Sequence, residues 1–465
     1  MNVRRIVISG VSGGSGKTIL SLGLCRALLH QGLRVAPFKK GPDYIDAAWL
    51  SRACGCCCTN LDPFFLSGRR LTSLFADAAQ GSDIAVIEGN RGLYDGRDAQ
   101  GSCSTSGLAR LLDAPVLLSL NCTKMTRTAA ALIDGLLRFE PLRFAGVVLA
   151  QVRPGSRHES VIRNSIETHT SARVLGTLPR LNPVPIPERH MGLVAAGGKE
   201  ADDCLDRLAD IITANVDLHE VLEAAAAGEL KADPFWPATS APTWKRPRIG
   251  YVQDEILWFY YKENLEALRH AGADLVRLSL LDDAPWPQLD GLYLGGGFPE
   301  LFAERLTGSS RLADIARLAR SGLPIYAECG GFMILCRSLI VNGASWPMAG
   351  VVPADVESCP TPQGLGYVEA TAVKPNPFHP QGVSWRGHEF HYSRCRTTQT
   401  NGLTLELASG VGMGRTGQTG LDGFLCGNTF AAYTHLFAPA VPHWAPRFVG
   451  LCADRTIQQR PKTAC

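Results

Sequence analysis

No stretch of eighteen uncharged apolar residues occurs in the 465-residue chain, which excludes a membrane-spanning helix of ordinary length. An excess of one charge is missing too. Lys and Arg number 46 against 43 Asp and Glu, and the net +3 is too small on so long a chain for a nucleic-acid footprint. In place of a secretory leader, Met1-Asn2-Val3-Arg4-Arg5 runs directly into an apolar strand. A cytoplasmic protein with neither a membrane nor a nucleic-acid partner is expected. The 15 cysteines include the cluster Cys54-Gly55-Cys56-Cys57-Cys58, but no second cluster or neighbouring histidine completes a four-ligand metal set. Reduced thiols packed behind a helix are expected there.

What is present is an ordinary globular balance, 45% hydrophobic and 19% charged, over a length that calls for two or three domains. The chain is organised around Gly10-Val11-Ser12-Gly13-Gly14-Ser15-Gly16-Lys17-Thr18, which follows the strand-like Arg5-Ile6-Val7-Ile8-Ser9 and opens a helical stretch from Ile19 to His30. Glycines at this junction turn the backbone N–H groups inward and the helix N-terminus adds partial positive charge. Lys17 can then reach outer phosphates, and Thr18 offers a hydroxyl to Mg²⁺. Gly10, Gly13, Gly14, Ser15, Gly16, Lys17 and Thr18 are therefore the expected ATP-binding residues. Five residues separate Gly10 from Gly16, one more than is usual, and this longer loop resembles that of dethiobiotin synthetase and its relatives, which activate a carboxylate or carbamate.

Apolar runs alternate with helical stretches from Arg5 to about Leu178, predicting a mostly parallel sheet covered on both faces, with ligands at the carboxyl ends of its strands. Polar motifs fall at those ends: Lys39-Lys40-Gly41-Pro42-Asp43-Tyr44-Ile45-Asp46, Asn60-Leu61-Asp62, and Glu88-Gly89-Asn90-Arg91-Gly92-Leu93-Tyr94-Asp95-Gly96. Glu88 ends a buried strand and suits a Mg²⁺ ligand; the bland alternatives are capping or pairing with a lysine. Asp43 and Asp46 are open between binding the same ion, positioning a substrate and capping the turn. A helical region from Ala195 to about Ala227 and a Pro-rich, charged segment follow. The expected domains are thus 1–227, a linker 228–247, a second α/β domain 248–445 and a tail 446–465, with more antiparallel strands after Asn342.

In the second domain Leu323-Pro324-Ile325-Tyr326-Ala327-Glu328-Cys329-Gly330-Gly331-Phe332 reads as strand, tight turn and helix. A thiol on such an elbow stands exposed near helix-terminal N–H groups that lower its pKa and stabilise an oxyanion. Among so many cysteines a buried structural thiol would be the default. Two features raise Cys329 above it: Gly295-Gly296-Gly297-Phe298-Pro299-Glu300 can supply an opposing oxyanion donor, and His435, in Tyr433-Thr434-His435-Leu436, can serve as a base brought in from far along the chain. The other histidines have no such setting, and most are expected at surface or structural positions.

Together with Pro187-Glu188-Arg189-His190-Met191-Gly192-Leu193 and Arg386-Gly387-His388-Glu389-Phe390-His391-Tyr392-Ser393, these motifs resemble, in order and over nearly the whole chain, the cobyrinic acid a,c-diamide synthase family. The resemblance implies an N-terminal dethiobiotin-synthetase-like P-loop domain on a parallel sheet and a C-terminal class I glutamine amidotransferase domain, both α/β. It implies a soluble ligase in cobalamin biosynthesis that takes ATP, Mg²⁺, glutamine and a tetrapyrrole. Cys329 would attack the glutamine amide with His435 as base, and Gly296, Gly297 and Gly330 would line the oxyanion site. Ammonia would displace phosphate from an activated acetate side chain. Thr18, Asp43, Asp46 and Glu88 would surround the metal, with Tyr44, Arg91 and Asp95 near substrate; a homodimer is left open.

Several positions depart from the family pattern. Many class I glutaminases place a glutamate two residues after the catalytic histidine, where this chain has Phe437; the cobyrinate branch generally lacks that acid. Asn90-Arg91 replaces an apolar pair, Lys39-Lys40 stands where one lysine and a valine are frequent, and Gln151 lies near a usual Asn. Extra basic residues keep open the same chemistry on a sirohydrochlorin-derived ring, siroheme or its nickel analogue. A third reading, a P-loop ATPase with an inert second domain, predicts ATP turnover indifferent to Cys329.

Overall fold

Runs such as Ile84-Ala85-Val86-Ile87 have no polar alternation, so they have no face to offer to water. In the computed structural model they form the interior of a parallel sheet. Residues 2–181, 198–225, 228–237, 246–396 and 401–458 are described, with the backbone of 188–189 and 192–193. The chain divides into two compact units, Met1–Pro237 and Ala238–Cys465.

In the first unit the order is β1 (Arg4–Gly10), α1 (Lys17–His30), β2 (Val35–Lys40), α2 (Ile45–Cys54), β3 (Thr59–Leu61), α3 (Gly68–Ala78), β4 (Ile84–Glu88), α4 (Thr105–Leu111), β5 (Val116–Asn121), α5 (Thr128–Phe139), β6 (Phe144–Ala150), α6 (Arg157–His169), β7 (Val174–Leu178), a two-residue hairpin β8 (Glu188–Arg189) and β9 (Gly192–Leu193), α7 (Gly198–Asn215) and α8 (Leu218–Ala224). Sheet order is β3-β2-β4-β1-β5-β6-β7, every pairing parallel. The direction of winding reverses beside β1, so the loop after β1 opens where ligands collect in such sheets. Helix α7 comes close to α1 because residue 23 is glycine: a Cβ there would lie 2.5 Å from Ile212.

The second unit contains β10 (Arg248–Val252), β11 (Leu257–Phe259), α9 (Lys262–His270), β12 (Asp274–Leu278), β13 (Gly291–Leu294), β14 (Gly296–Gly297), α10 (Ala303–Thr307), α11 (Ser310–Arg320), β15 (Ile325–Glu328), α12 (Gly330–Leu335), β16 (Cys336–Val341), β17 (Ala344–Pro347), β18 (Val352–Ser358), β19 (Gly364–Ala372), β20 (Ser384–His391), β21 (Ser393–Arg396), β22 (Leu403–Ser409), β23 (Gly414–Thr416), β24 (Thr419–Cys426), β25 (Thr429–Ala432), β26 (His435–Leu436) and α13 (Trp444–Gln458). Its main sheet runs β12-β10-β13-β15-β25-β24-β22-β19-β20-β26, parallel through β25 and antiparallel beyond. The antiparallel strands expected after Asn342 are there.

Three local expectations change. Residues 446–458 continue helix α13 instead of trailing as a tail, because Trp444, Phe448 and Cys452 bury an apolar stripe in the core. Residues 228–237 pack on the first unit: Leu230 and Phe235 are buried, and Arg70 donates to the Phe235 carbonyl at 2.6 Å. Cys54 and Cys58 are buried beside α2 as expected, but Cys56 and Cys57 are exposed, because Gly55 ends the helix in a left-handed turn.

Candidate active sites

The loop after β1 bends back on itself at Gly10, where a Cβ would collide with the Ser15 hydroxyl at 2.0 Å, and enters α1 through Gly16 at φ 90°. Gly13 and Gly14 leave open space on the outer side of the loop. Lys17 folds over it, donating to the Ser12 carbonyl at 2.8 Å, and Ser119 donates to the Ser15 carbonyl at 2.7 Å to hold the loop against β5. Burial lowers the Lys17 pKa, with Glu88 opposing that shift.

Register explains the rest of this site. Glu88, the last residue of β4, lies beside Ile8 on one strand and Lys39 on the other. Its Oε1 accepts from the Thr18 hydroxyl at 2.7 Å and from Lys39 at 3.1 Å, and Lys39 donates to Asp46 at 2.6 Å. Burial works against the Lys39 charge, but Glu88, Asp46 and Asp43 more than reverse it and raise its pKa. Lys39 is therefore an internal counter-ion, 3% exposed, and not a cation presented to substrate. Lys40 is buried as well.

Of the four residues expected around a metal, Thr18 and Glu88 meet, while Asp46 is held by Lys39. Asp43 caps the start of α2, accepting from the Asp46 N–H at 2.9 Å, and burial followed by the Asp46 charge raises its pKa. Among the described residues no group of three His, Cys, Asp or Glu forms a metal cage. Glu88 Oε2 is nevertheless a buried oxygen without a hydrogen-bond partner, and a hydroxyl beside a carboxylate is a donor set that suits Mg²⁺ on a nucleotide. Asp95 is exposed and accepts from the Gly92 N–H at 2.8 Å, closing the Gly92–Asp95 turn, while its charge acts on Lys17. Arg91 is exposed at φ 54°, and Tyr44 is half-buried at the N-cap of α2.

The thiol site is assembled between β15 and α12. Cys329 has φ 47° and ψ −103°, a conformation costing on the order of 1–3 kcal/mol that is held by its N–H donating to Ala432 at 2.7 Å and the Gly331 N–H donating to Gly295 at 2.9 Å. No side chain fits at Gly331, where a Cβ would sit 2.4 Å from the Leu294 carbonyl. A Cβ on Gly330 would lie 2.8 Å from the Gly297 nitrogen, and one on Gly296 would lie 2.5 Å from His435 Cε1. The elbow, the glycine strand and the histidine thus converge. Contrary to the sequence expectation, Cys329 is only 3% exposed and its thiol pKa is pushed up, by burial first and then by Glu300.

Sequence reasoning missed the surroundings of His435. Glu328 Oε2 lies 3.6 Å from His435 Nδ1, and His388, directly opposite in register on β20, stacks on the His435 ring at 4.8 Å. His388, His391 and His379 are all buried. The signal for Glu328 was present: like Glu88, it is a carboxylate ending an otherwise apolar buried strand.

A phosphate-binding loop in one unit and a strained thiol with a converging histidine in the other define a nucleotide-dependent ligase coupled to a glutamine amidotransferase. Family models agree: residues 6–194 match the CobQ/CobB/MinD/ParA nucleotide binding domain and residues 248–441 the CobB/CobQ-like glutamine amidotransferase domain. Curated relatives named cobyrinate a,c-diamide synthase include that of Magnetococcus marinus, 41% identical over 99% of both chains. Those of Syntrophotalea carbinolica and Archaeoglobus fulgidus are 39% and 37% identical, over 97% of this chain and 99% and 97% of theirs. The chain belongs to the cobyrinate a,c-diamide synthase family. No helix among the described residues is long and apolar enough to cross a membrane.

Proposed function

We propose that this enzyme amidates the a- and c-acetate carboxylates of cobyrinic acid in the cytoplasm, spending ATP and glutamine. The observation that carries the reading is that one chain of this family holds both sites, Lys17 and Thr18 beside Glu88, and Cys329 near His435. In the glutaminase, Cys329 Sγ gives its proton to His435 and attacks the amide carbon. The Gly330 and Gly297 N–H groups face the developing oxyanion. His435 returns the proton to the leaving nitrogen, ammonia departs, and water hydrolyses the thioester to glutamate.

In the first unit an acetate oxygen attacks the γ-phosphorus of ATP and ADP leaves. Ammonia then attacks the acyl phosphate and inorganic phosphate leaves, giving the amide. Carboxylate itself is a poor electrophile, so phosphorylation must come first. Lys17 and the loop N–H groups bind the phosphates, and Lys39 holds Glu88 and Asp46 in place. Mg²⁺, when bound, would be held by Thr18 and Glu88 and would neutralise phosphate charge.

The sirohydrochlorin-type alternative loses much of its support. Lys39 is neutralised by Asp46 and Glu88, and Lys40 is buried, which leaves Arg91 as the exposed departure. The test is mass spectrometry of cobyrinic acid and siroheme incubated separately with enzyme, MgATP and ¹⁵N-amide glutamine. Two labels in cobyrinic acid are expected; label in siroheme alone would overturn the substrate assignment while keeping the chemistry.

A further inference from the structure

Phe437 occupies the position at which many class I glutaminases carry the acid that orients histidine, so His435 needs another partner or none. We infer that Glu328, the residue immediately before the nucleophile, is the positioning carboxylate for His435. This rests on the glutaminase reading above. The geometry is specific. Glu328 Oε1 accepts from the Leu436 N–H at 3.1 Å, fixing the backbone next to the histidine, while Oε2 accepts from the Tyr293 hydroxyl at 3.1 Å and faces His435 Nδ1 at 3.6 Å.

Asn264 braces this arrangement. Its amide nitrogen donates to the Tyr293 hydroxyl at 3.1 Å and to the Leu436 carbonyl at 3.0 Å, and its oxygen accepts from the Ala438 N–H at 2.7 Å. Glu328 and His435 are both sealed from solvent, at 1% and 0% side-chain exposure. A buried carboxylate without a cation is costly, and the imidazolium formed when His435 takes the thiol proton is the charge that would offset it. At 3.6 Å the contact is longer than a hydrogen bond, as catalytic contacts often are before substrate is bound. With Oε2 toward Nδ1, the tautomer with Nδ1 protonated leaves Nε2 as the base. The same stretch of chain thus supplies both nucleophile and positioning acid.

The test uses the full-length enzyme with Glu328→Gln and Glu328→Asp. Glutamine at 328 keeps an oxygen for the Leu436 N–H but places an NH₂ where the charge was. Expected for Glu328→Gln is a fall in glutaminase kcat of roughly 10- to 100-fold with KM changed less than about threefold, and partial recovery in Glu328→Asp. A second readout needs no glutamine turnover: the pH profile of Cys329 alkylation by iodoacetamide should move to higher pH in Glu328→Gln. The other titratable groups facing the pair, His388 stacked on His435, Tyr293 beside Glu328, and Glu300 and Asp422 near the thiol, are unchanged in that variant. The Glu328 charge acting directly on the thiol raises its pKa, so loss of that charge alone would move the profile to lower pH; that result, or an unshifted profile, would overturn the inference, whether kcat is retained or lost together with the thermal melt. Absence of glutaminase in the wild-type enzyme would instead overturn the underlying reading, before any variant is made.

Discussion

Cys329 and Lys17 are the residues on which the two half-reactions turn, and their variants should separate them. Cys329→Ala should reduce glutamine-dependent amidation at least about 10³-fold while amidation supported by added ammonium persists; loss of both would place the thiol in the synthetase chemistry or the fold. Lys17→Ala should abolish amidation yet leave glutamine hydrolysis measurable, and retained amidation would remove Lys17 from the phosphate site. Glu300 gives a pH prediction. Burial pushes its carboxyl up to about 7 from 4.5. Between those values the folded chain holds a proton that the unfolded chain has released, so this group lowers stability as pH rises through the window and has no effect below it. The gain in Tm of Glu300→Gln over wild type should be larger near about pH 8 than near about pH 5; an equal difference at both would show that Glu300 titrates normally.

At the level of elements, both sites are built at the carboxyl ends of buried parallel strands, β1 and β4 in one unit and β13 and β15 in the other. In each, an apolar strand ends on a carboxylate, Glu88 or Glu328, and the next turn is glycine-rich. Sheet register then decides each partner: Lys39 beside Glu88, and His388 opposite His435. Gly331→Ala tests how tightly the elbow is constrained, since the added Cβ meets the backbone of β13 at 2.4 Å. A loss of about 2 kcal/mol or more in denaturant unfolding of the second unit is expected, together with lost glutaminase activity. A variant as stable and active as wild type would show that the strand can yield.

Across the whole molecule, ammonia produced by one chemistry is consumed by the other, and this too can be measured. Mixing Cys329→Ala with Lys17→Ala should restore amidation only after a lag, as ammonia from one variant accumulates in bulk solution for the other. An added ammonia-consuming enzyme should abolish that restoration. Restoration without a lag, and resistant to the scavenger, would mean that the two variants exchange ammonia within a complex.

Local sequence was enough to determine the phosphate loop, the parallel α/β alternation, the thiol elbow and the approximate strand ends. These depend on neighbouring residues: glycine conformations, runs of β-branched side chains and the change from one periodicity to another. Helix α2 was harder to read, because Asp43-Tyr44-Ile45-Asp46 looks like a polar motif loop until Asp43 is seen capping a helix. The tertiary structure alone decided what depends on register and burial. It turned Lys39 from a substrate-facing cation into the counter-ion of Glu88 and Asp46, closed Asp95 onto Gly92, and buried Cys329 where a raised pKa replaces the expected lowered one. It also set Glu328 against His435, 107 positions further along the chain. Charge interactions fall off with distance in space, and only the folded sheet brings these carboxylates within a few ångströms of their partners.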